Sequence, residues 1–278
     1  MSVSNPPKQW RIGGQTLTLD RTYIMGILNV TPDSFSDGGK YSSVELAIAR
    51  AYAMQREGAD IIDIGGQSTR PGHTPISADE EWLRIQPVLK ALFGKLKIPV
   101  SVDTYYPEVA RKAARLGAEI FNDVTGFRDP LMRQYAAEYG VGCVIMHDLP
   151  LDESADVCAA LRAFYETRTA ECIADGIAPE CLCLDPGVGF GKSYEQNLQI
   201  AARFGEQCFG HYPMLAAASR KRVIGMSCGN PPAEQRVSGT ISYHTACILG
   251  GANLIRVHDV TEAVQAAQVA DAILHCHK

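Results

Sequence analysis

The chain has 278 residues, of which 46% are hydrophobic and 21% charged, so a large core is expected and wholesale disorder is excluded. The formal net charge is −5 at pH 7, which argues against a general nucleic-acid binder but allows a local cationic pocket for an anionic small molecule. No apolar run reaches the roughly 18 residues that span a bilayer, and residues 1–10 are polar with two prolines. Neither a membrane partner nor a signal peptide is therefore expected.

The nine cysteines predict reduced thiols. None forms a C-x-x-C pair, and the closest two, Cys181 and Cys183, lack the spacing of metal ligands. Free cysteine behaves as a small apolar residue, so we expect most of these side chains to be buried. A reducing cytoplasm is the expected location.

The first 22 residues predict a β-hairpin. Two short β-rich runs, residues 10–12 and 15–19, flank the pair Gly13-Gly14, which favours a tight turn. A hairpin in this position is expected to cover one end of the domain that follows.

From Tyr23 onward, short β-rich runs alternate with longer segments of helical periodicity. The predicted strands are residues 23–30, 61–65, 100–102, 119–122, 142–146, 181–184, 214–218 and 253–257. The predicted helices are residues 43–57, 78–95, 107–116, 130–138, 154–175, 195–204, 233–249 and 261–274.

Eight strand–helix repeats of this length predict a (β/α)8 TIM barrel with the N-terminal β-hairpin as an extension. We expect one domain over residues 1–278, since no linker or change in composition divides the chain. The alternative is an open doubly wound sheet. That fold usually carries a glycine-rich nucleotide turn after its first strand, and none follows Val30.

A polar or charged residue stands at the end of every predicted strand. Because the C-terminal ends of barrel strands carry the active site in this fold, the pattern predicts a functional rim. A single strand-end aspartate could simply cap a helix, but capping is a poor explanation for all eight. The residues are Asn29, Asp63, Asp103, Asn122, His147, Asp185, Ser219 with Lys221, and Arg256 with His258.

These side chains divide by charge. The acceptors Asp103, Asn122 and Asp185 suit a flat, nitrogen-rich heterocycle that carries N–H donors. The cationic set suits phosphate oxygens, and two of its members follow strands seven and eight, where barrels often bind phosphate. It comprises Arg70, Lys221, Arg256 and His258.

The glycine-rich segment 187–193 superficially resembles a nucleoside-triphosphate P-loop. That motif needs glycine five positions before the Gly191-Lys192 pair, where this chain has Pro186. The segment is better interpreted as a loop that lets Asp185 and Lys221 approach a ligand closely.

Two long stretches, Met25-Gly-Ile-Leu-Asn-Val-Thr-Pro-Asp-Ser-Phe-Ser-Asp-Gly-Gly39 and Asp63-Ile-Gly-Gly-Gln-Ser-Thr-Arg-Pro-Gly72, closely resemble the dihydropteroate synthase family of pterin-binding enzymes. Shorter matches follow in order at residues 101–104, 122–124, 185–192, 219–221 and 256–260. The resemblance implies a barrel that condenses 4-aminobenzoate with (7,8-dihydropterin-6-yl)methyl diphosphate, releasing diphosphate. It also implies a Mg²⁺ cofactor and a homodimer.

The same resemblance implies individual roles. Asp103, Asn122, Asp185 and Lys221 would hold the pterin, with Met146 packed on it, and Asn29 would bind Mg²⁺. Thr69, Arg70, Arg256 and His258 would contact the diphosphate. Phe35, Thr69, Pro71 and Phe190 would form the aminobenzoate pocket, and Asp103, Asp185, Lys221 and Arg256 would be the catalytic residues.

The chain departs from the family at several positions. Gln67 replaces a usual Glu, Ala217 a common Gly and Arg222 a frequent Ser, and the loop after Met146 is short. Gln67 and the short loop leave open a pterin-binding paralogue without synthase activity. A pterin-dependent methyltransferase is a second alternative, since such barrels also hold a pterin with Asp and Asn at strand ends. The loops at 31–41 and 67–74 are expected to exclude water from the site.

Overall fold

A computed structural model describes residues 9–31, 43–67 and 74–276. The hairpin strands are β1 (Gln9–Ile12) and β2 (Gln15–Thr18). The barrel strands are β3 (Tyr23–Asn29), β4 (Ile61–Gly65), β5 (Val100–Asp103), β6 (Ile120–Asp123), β7 (Gly142–Met146), β8 (Leu182–Asp185), β9 (Leu215–Ala216) and β10 (Leu254–Val257). The helices are α1 (Ser43–Glu57), α2 (Ala78–Leu92), α3 (Pro107–Leu116), α4 (Pro130–Tyr139), α5 (Val157–Ala174), α6 (Tyr194–Ala202), α7 (Arg222–Ser227), α8 (Val237–Leu249) and α9 (Val260–His275).

The eight strands β3 to β10 form a parallel barrel. Neighbours pair in chain order from β3 to β8, and β10 joins β3 to β9. A parallel bridge between Leu184 and Met214 closes the ring between β8 and β9. The predicted (β/α)8 barrel is confirmed, and the open doubly wound sheet is excluded.

Serine and glycine residues cap the ends of several helices. The Ser77 hydroxyl accepts from the backbone N–H of Glu80 at the start of α2. Gly117 and Gly140 take left-handed φ angles of 113° and 61° after α3 and α4, where a glycine is strain-free. The glycine at the end of α3 explains why the predicted C-terminal bound of that helix matches the structure. The predicted bounds of α1 also match.

The region around β9 differs most from the prediction. Only two residues make the strand instead of five, because the Ala218 N–H leaves the sheet and donates to Nε2 of the buried His244 at 3.0 Å. The helix α7, which was not predicted, follows at once. With six residues it is too short to display helical periodicity.

The hairpin covers the N-terminal end of the barrel, as expected. Trp10 and Ile12 are fully buried and pack with the inward-facing side chains of that end, such as Met25 and Ile61. The Trp10 indole N–H donates to the carbonyl of Cys181 at 2.8 Å, so its one polar group is satisfied. This end of the barrel is therefore closed, and the opposite end carries the open cavity.

The cysteines are free thiols, as expected, and six of the nine are buried. No helix in the described part of the chain is long and apolar enough to cross a membrane.

Candidate active site

A cavity of about 840 Å³ opens at the C-terminal ends of the strands. Nine of the thirteen predicted site residues line it: Asn29, Asp103, Asn122, Met146, Asp185, Phe190, Lys221, Arg256 and His258. The remaining four, Phe35, Thr69, Arg70 and Pro71, lie outside the described residues. Residues from seven different strand ends or loops thus converge on one space.

Arg256 lies between two carboxylates. Its Nε is 2.6 Å from Oδ2 of Asp63, and its Nη2 is 2.6 Å from Oδ2 of Asp103. The amide of Asn122 donates to the same Asp63 oxygen at 3.0 Å. Burial alone would lower the pKa of Arg256, but the charges of Asp63 and Asp103 outweigh it and raise the pKa.

Asp103 and Asp185 are buried carboxylates that can accept further hydrogen bonds. Burial raises the pKa of Asp103 to about 7 despite the nearby Arg256 charge. Its Oδ1 is buried without a hydrogen-bond partner among the described residues. Burial also raises the pKa of Asp185, and the Lys221 charge offsets this only in part. Both carboxylates are suited to receive donors from a bound ligand.

Lys221 approaches the cavity from the loop after β9. Its ammonium donates to the carbonyl of Val188 at 2.6 Å and lies 4.8 Å from the centre of the Phe190 ring. Burial lowers the pKa of Lys221 to about 8, with the charge of Asp185 acting in the opposite direction. Lys221 therefore carries its charge at neutral pH within a half-buried site.

His258 is oriented by Ser219. The Ser219 hydroxyl lies 2.8 Å from Nδ1 of His258 and also accepts the His258 backbone N–H at 3.1 Å. Ser219 thereby fixes the orientation of the His258 imidazole, which lines the cavity. Ser219 was predicted only as a polar strand end, and its positioning role needed the three-dimensional structure.

The predicted separation into an acceptor half and a cationic half is only partly realised. Arg256 is hydrogen-bonded to the acceptor Asp103 rather than standing apart from it. Asp63, which was predicted only as a polar strand end without a ligand role, links Arg256 to Asn122. The available signal was a charged residue at the centre of an otherwise apolar strand, since β4 reads Ile-Ile-Asp-Ile-Gly.

The short loop after β7 forms one wall of the cavity. Pro150, Leu151 and Glu153 line it, and the Leu151 N–H donates to the Gly191 carbonyl at 2.8 Å. The shortened loop thus packs directly on the glycine-rich loop after β8. Lys192 lies at this junction and also lines the cavity.

The donor set fits a magnesium ion that arrives with a substrate. Among the described residues, no group of three or more His, Cys, Asp or Glu could hold a metal by itself. Asn29 lines the cavity, and its side-chain amide contains an oxygen, the ligand atom that Mg²⁺ prefers. Mg²⁺ usually keeps several waters and binds through few side chains together with substrate phosphates.

The fold and this rim define a (β/α)8-barrel enzyme whose site is built for a small polar ligand with an anionic part. Residues 25–258 match the family described as pterin binding enzyme. The chain is 41% identical to the dihydropteroate synthase of Escherichia coli strain K12, covering 94% of this chain and 95% of that protein. The chain belongs to the pterin-binding enzyme family.

Solved structures agree with this assignment. The dihydropteroate synthase of Xanthomonas albilineans with 4-aminobenzoic acid superposes with a TM-score of 0.91 at 43% identity, covering 97% of this chain and 99% of that one. The same enzyme in complex with 7,8-dihydropteroate gives a TM-score of 0.89 at 41% identity, covering 96% and 99%.

Proposed function

We propose that the protein is a dihydropteroate synthase. It condenses 4-aminobenzoate with (7,8-dihydropterin-6-yl)methyl diphosphate to give 7,8-dihydropteroate and diphosphate. The observation that carries this proposal is the convergence of Asp103, Asn122, Asp185 and Lys221 on one cavity that also contains Arg256 and His258. The named relatives support the same reaction.

In the proposed complex the pterin lies on the acceptor side of the cavity. Asp185 and Asn122 receive its ring N–H and amino donors, and Lys221 donates to a ring acceptor. Met146, which is almost completely buried, packs against the ring face. The raised pKa of Asp185 reflects a carboxylate that gains stabilisation when such donors arrive.

The diphosphate leaves toward Arg256 and His258. The C–O bond between the methylene carbon and the diphosphate breaks, and the arylamine nitrogen forms a C–N bond to that carbon and releases a proton. Arg256 and His258 stabilise the developing charge on the leaving group, as would Thr69 and Arg70. Mg²⁺ held by Asn29 and the diphosphate oxygens would supply further charge neutralisation. The carboxylates of Asp103 and Asp185 favour positive charge at the methylene carbon.

The aminobenzoate enters beside Phe190, with Phe35, Thr69 and Pro71 completing its pocket. Arg222 also lines the cavity and is exposed. A cation there suits the carboxylate of the arylamine, which gives the departure from the usual Ser a function.

We further propose that the enzyme acts as a homodimer in the cytoplasm. The adjacent helices α8 and α9 expose four large apolar side chains at 42–62% of their surface: Leu249, Val269, Ile273 and Leu274. Exposed apolar side chains on two adjacent helices support an interface between two copies.

The decisive experiment incubates the purified protein with Mg²⁺, the pterin diphosphate and 4-aminobenzoate. Dihydropteroate and diphosphate should form in equal amounts. Asp185→Asn should lower kcat/KM at least about a hundredfold, whereas Asp79→Asn, at a side chain that is 90% exposed, should leave it unchanged. Absence of product while calorimetry detects pterin binding would overturn the synthase assignment in favour of a silent paralogue.

A further inference from the structure

Lys192 is a cationic side chain that the proposed reaction does not use. It ends the glycine-rich loop after β8 and points back beneath that loop instead of into solvent. Its Nζ lies 3.0 Å from the His147 carbonyl, 3.2 Å from the Gly187 carbonyl and 2.9 Å from the Phe190 carbonyl. A fourth contact, at 3.0 Å, joins Nζ to Nδ1 of His147.

The two loops that meet at Lys192 are packed backbone against backbone. A Cβ at Gly187 would overlap the carbonyl oxygen of His147, and one at Gly191 would lie 2.5 Å from the carbonyl oxygen of Leu149. Both glycines have left-handed φ angles, 65° and 59°. This close approach turns several carbonyl oxygens toward one point, and the ammonium of Lys192 occupies it.

The loop that Lys192 secures also carries two features of the ligand cavity. The Val188 carbonyl receives the ammonium of Lys221 at 2.6 Å, and the Phe190 ring flanks that ammonium at 4.8 Å. A substitution at Lys192 can therefore alter the positions of Val188 and Phe190 in the proposed pterin site, although Lys192 itself need not contact a substrate.

We propose that Lys192 is a positioning residue of the pterin site, which ties the loops after β7 and β8 together and thereby holds Val188 and Phe190 against Lys221. This inference rests on the proposed function, because it concerns the same site. Three N–H donors of an ammonium match the three carbonyls, and charged donors make the stronger hydrogen bonds.

The charge of Lys192 is sensitive to pH in the working range. Burial lowers the pKa of Lys192 to about 7; the charges of Asp185 and Asp148 raise it, and that of Lys221 lowers it further. His147 is neutral there, since burial and then the Lys192 charge lower its pKa to about 4, so no second positive charge lies against the ammonium. The full ammonium is present below pH 7 and is lost as the pH rises through that value.

The test compares Lys192→Met with wild type from pH 6 to pH 9. The ratio of their KM values for the pterin diphosphate should be about tenfold at pH 6, where the charged hydrogen bonds are lost, and about threefold at pH 9, where only neutral ones are lost. The kcat ratio should change less than the KM ratio. Lys95→Met, at an exposed lysine after α2, is the control and should match wild type at every pH.

A KM ratio that is the same at pH 6 and pH 9 would reduce Lys192 to a structural side chain and overturn the proposal. If thermal unfolding shows that Lys192→Met is misfolded, Lys192→Arg provides the test instead. Its guanidinium stays charged to pH 9, so its KM relative to wild type should fall as the pH rises, and no fall contradicts the proposal. If wild type binds the pterin diphosphate but makes no product, the proposed function fails, and the same ratios of Kd from calorimetry still test Lys192.

Discussion

At the scale of single residues, the site depends on buried charges that compensate one another. Arg256 is shared by Asp63 and Asp103, and Asp63 has no exposed surface. Removing one member of a buried group leaves the others without compensation, which costs more than the group itself contributes. Asp63 therefore holds Arg256 in place where it lines the cavity.

Asp63→Asn should lower the free energy of unfolding by about 3 kcal/mol, because Arg256 then keeps only one carboxylate partner. It should also reduce kcat/KM, since Arg256 is no longer fixed. Urea unfolding and product assays would measure the two effects. The control is Glu80→Gln at the exposed pair with Arg84, which should cost at most about 1 kcal/mol; equal losses in the two variants would contradict the argument.

Arg222→Ser tests the departure from the family at the aminobenzoate end. An exposed cation is worth at most about 1 kcal/mol to a carboxylate, so the KM for 4-aminobenzoate should rise about threefold to fivefold. The KM for the pterin diphosphate should not change. Binding of the neutral 4-aminobenzamide supplies the control, and an equal loss for the amide would show that the carboxylate is not the partner.

At the scale of elements, the loops after β7 and β8 form a single wall. Their backbones touch at Gly191, which lies against Leu149 and Pro150. The short loop after Met146 is therefore a packed part of this site, and the departure from the family leaves Met146 on the cavity.

Gly191→Ala should destabilise this wall. Gly140 has nearly the same φ, 61° against 59°, but open space where a Cβ would lie. In both alanine variants the left-handed backbone should lower the free energy of unfolding by about 1–2 kcal/mol. In Gly191→Ala the clash of the added Cβ should lower it by a further amount of about 1–3 kcal/mol. Gly191→Ala should also weaken pterin binding. Urea unfolding and calorimetry would compare them, and a Gly140→Ala variant with the larger loss would refute the packing argument.

Sequence predicts those elements whose signals are local. The capping serine of α2 and the glycine that ends α3 fix helix bounds. The predicted strand-end residues line the cavity as expected, except for Asp63 and His147. The link from Asp63 to Arg256 spans 193 positions, so no local pattern could indicate it. The same limit applies to His244, which takes the Ala218 N–H and shortens β9.

At the scale of the whole molecule, the two ends of the barrel differ. The N-terminal end is closed by the hairpin and contributes to stability, and the C-terminal end is open and carries the candidate active site. Trp10 closes the first end, far from the polar rim. Trp10→Ala should cost about 3–5 kcal/mol of unfolding free energy yet change each KM less than about twofold at 25 °C. Leu83→Ala, at a side chain that is 69% exposed, should change stability by less than about 0.5 kcal/mol; a large KM change in a folded Trp10→Ala protein would show that the two ends are coupled.

The most direct test of the proposed site is a crystal structure with the pterin diphosphate and Mg²⁺ but no arylamine. The pterin ring should lie between Asn122, Asp185 and Lys221, the diphosphate beside Arg256 and His258, and the metal ion at Asn29. A pterin bound elsewhere, or bound in this cavity with its diphosphate directed away from Arg256, would contradict the proposed site.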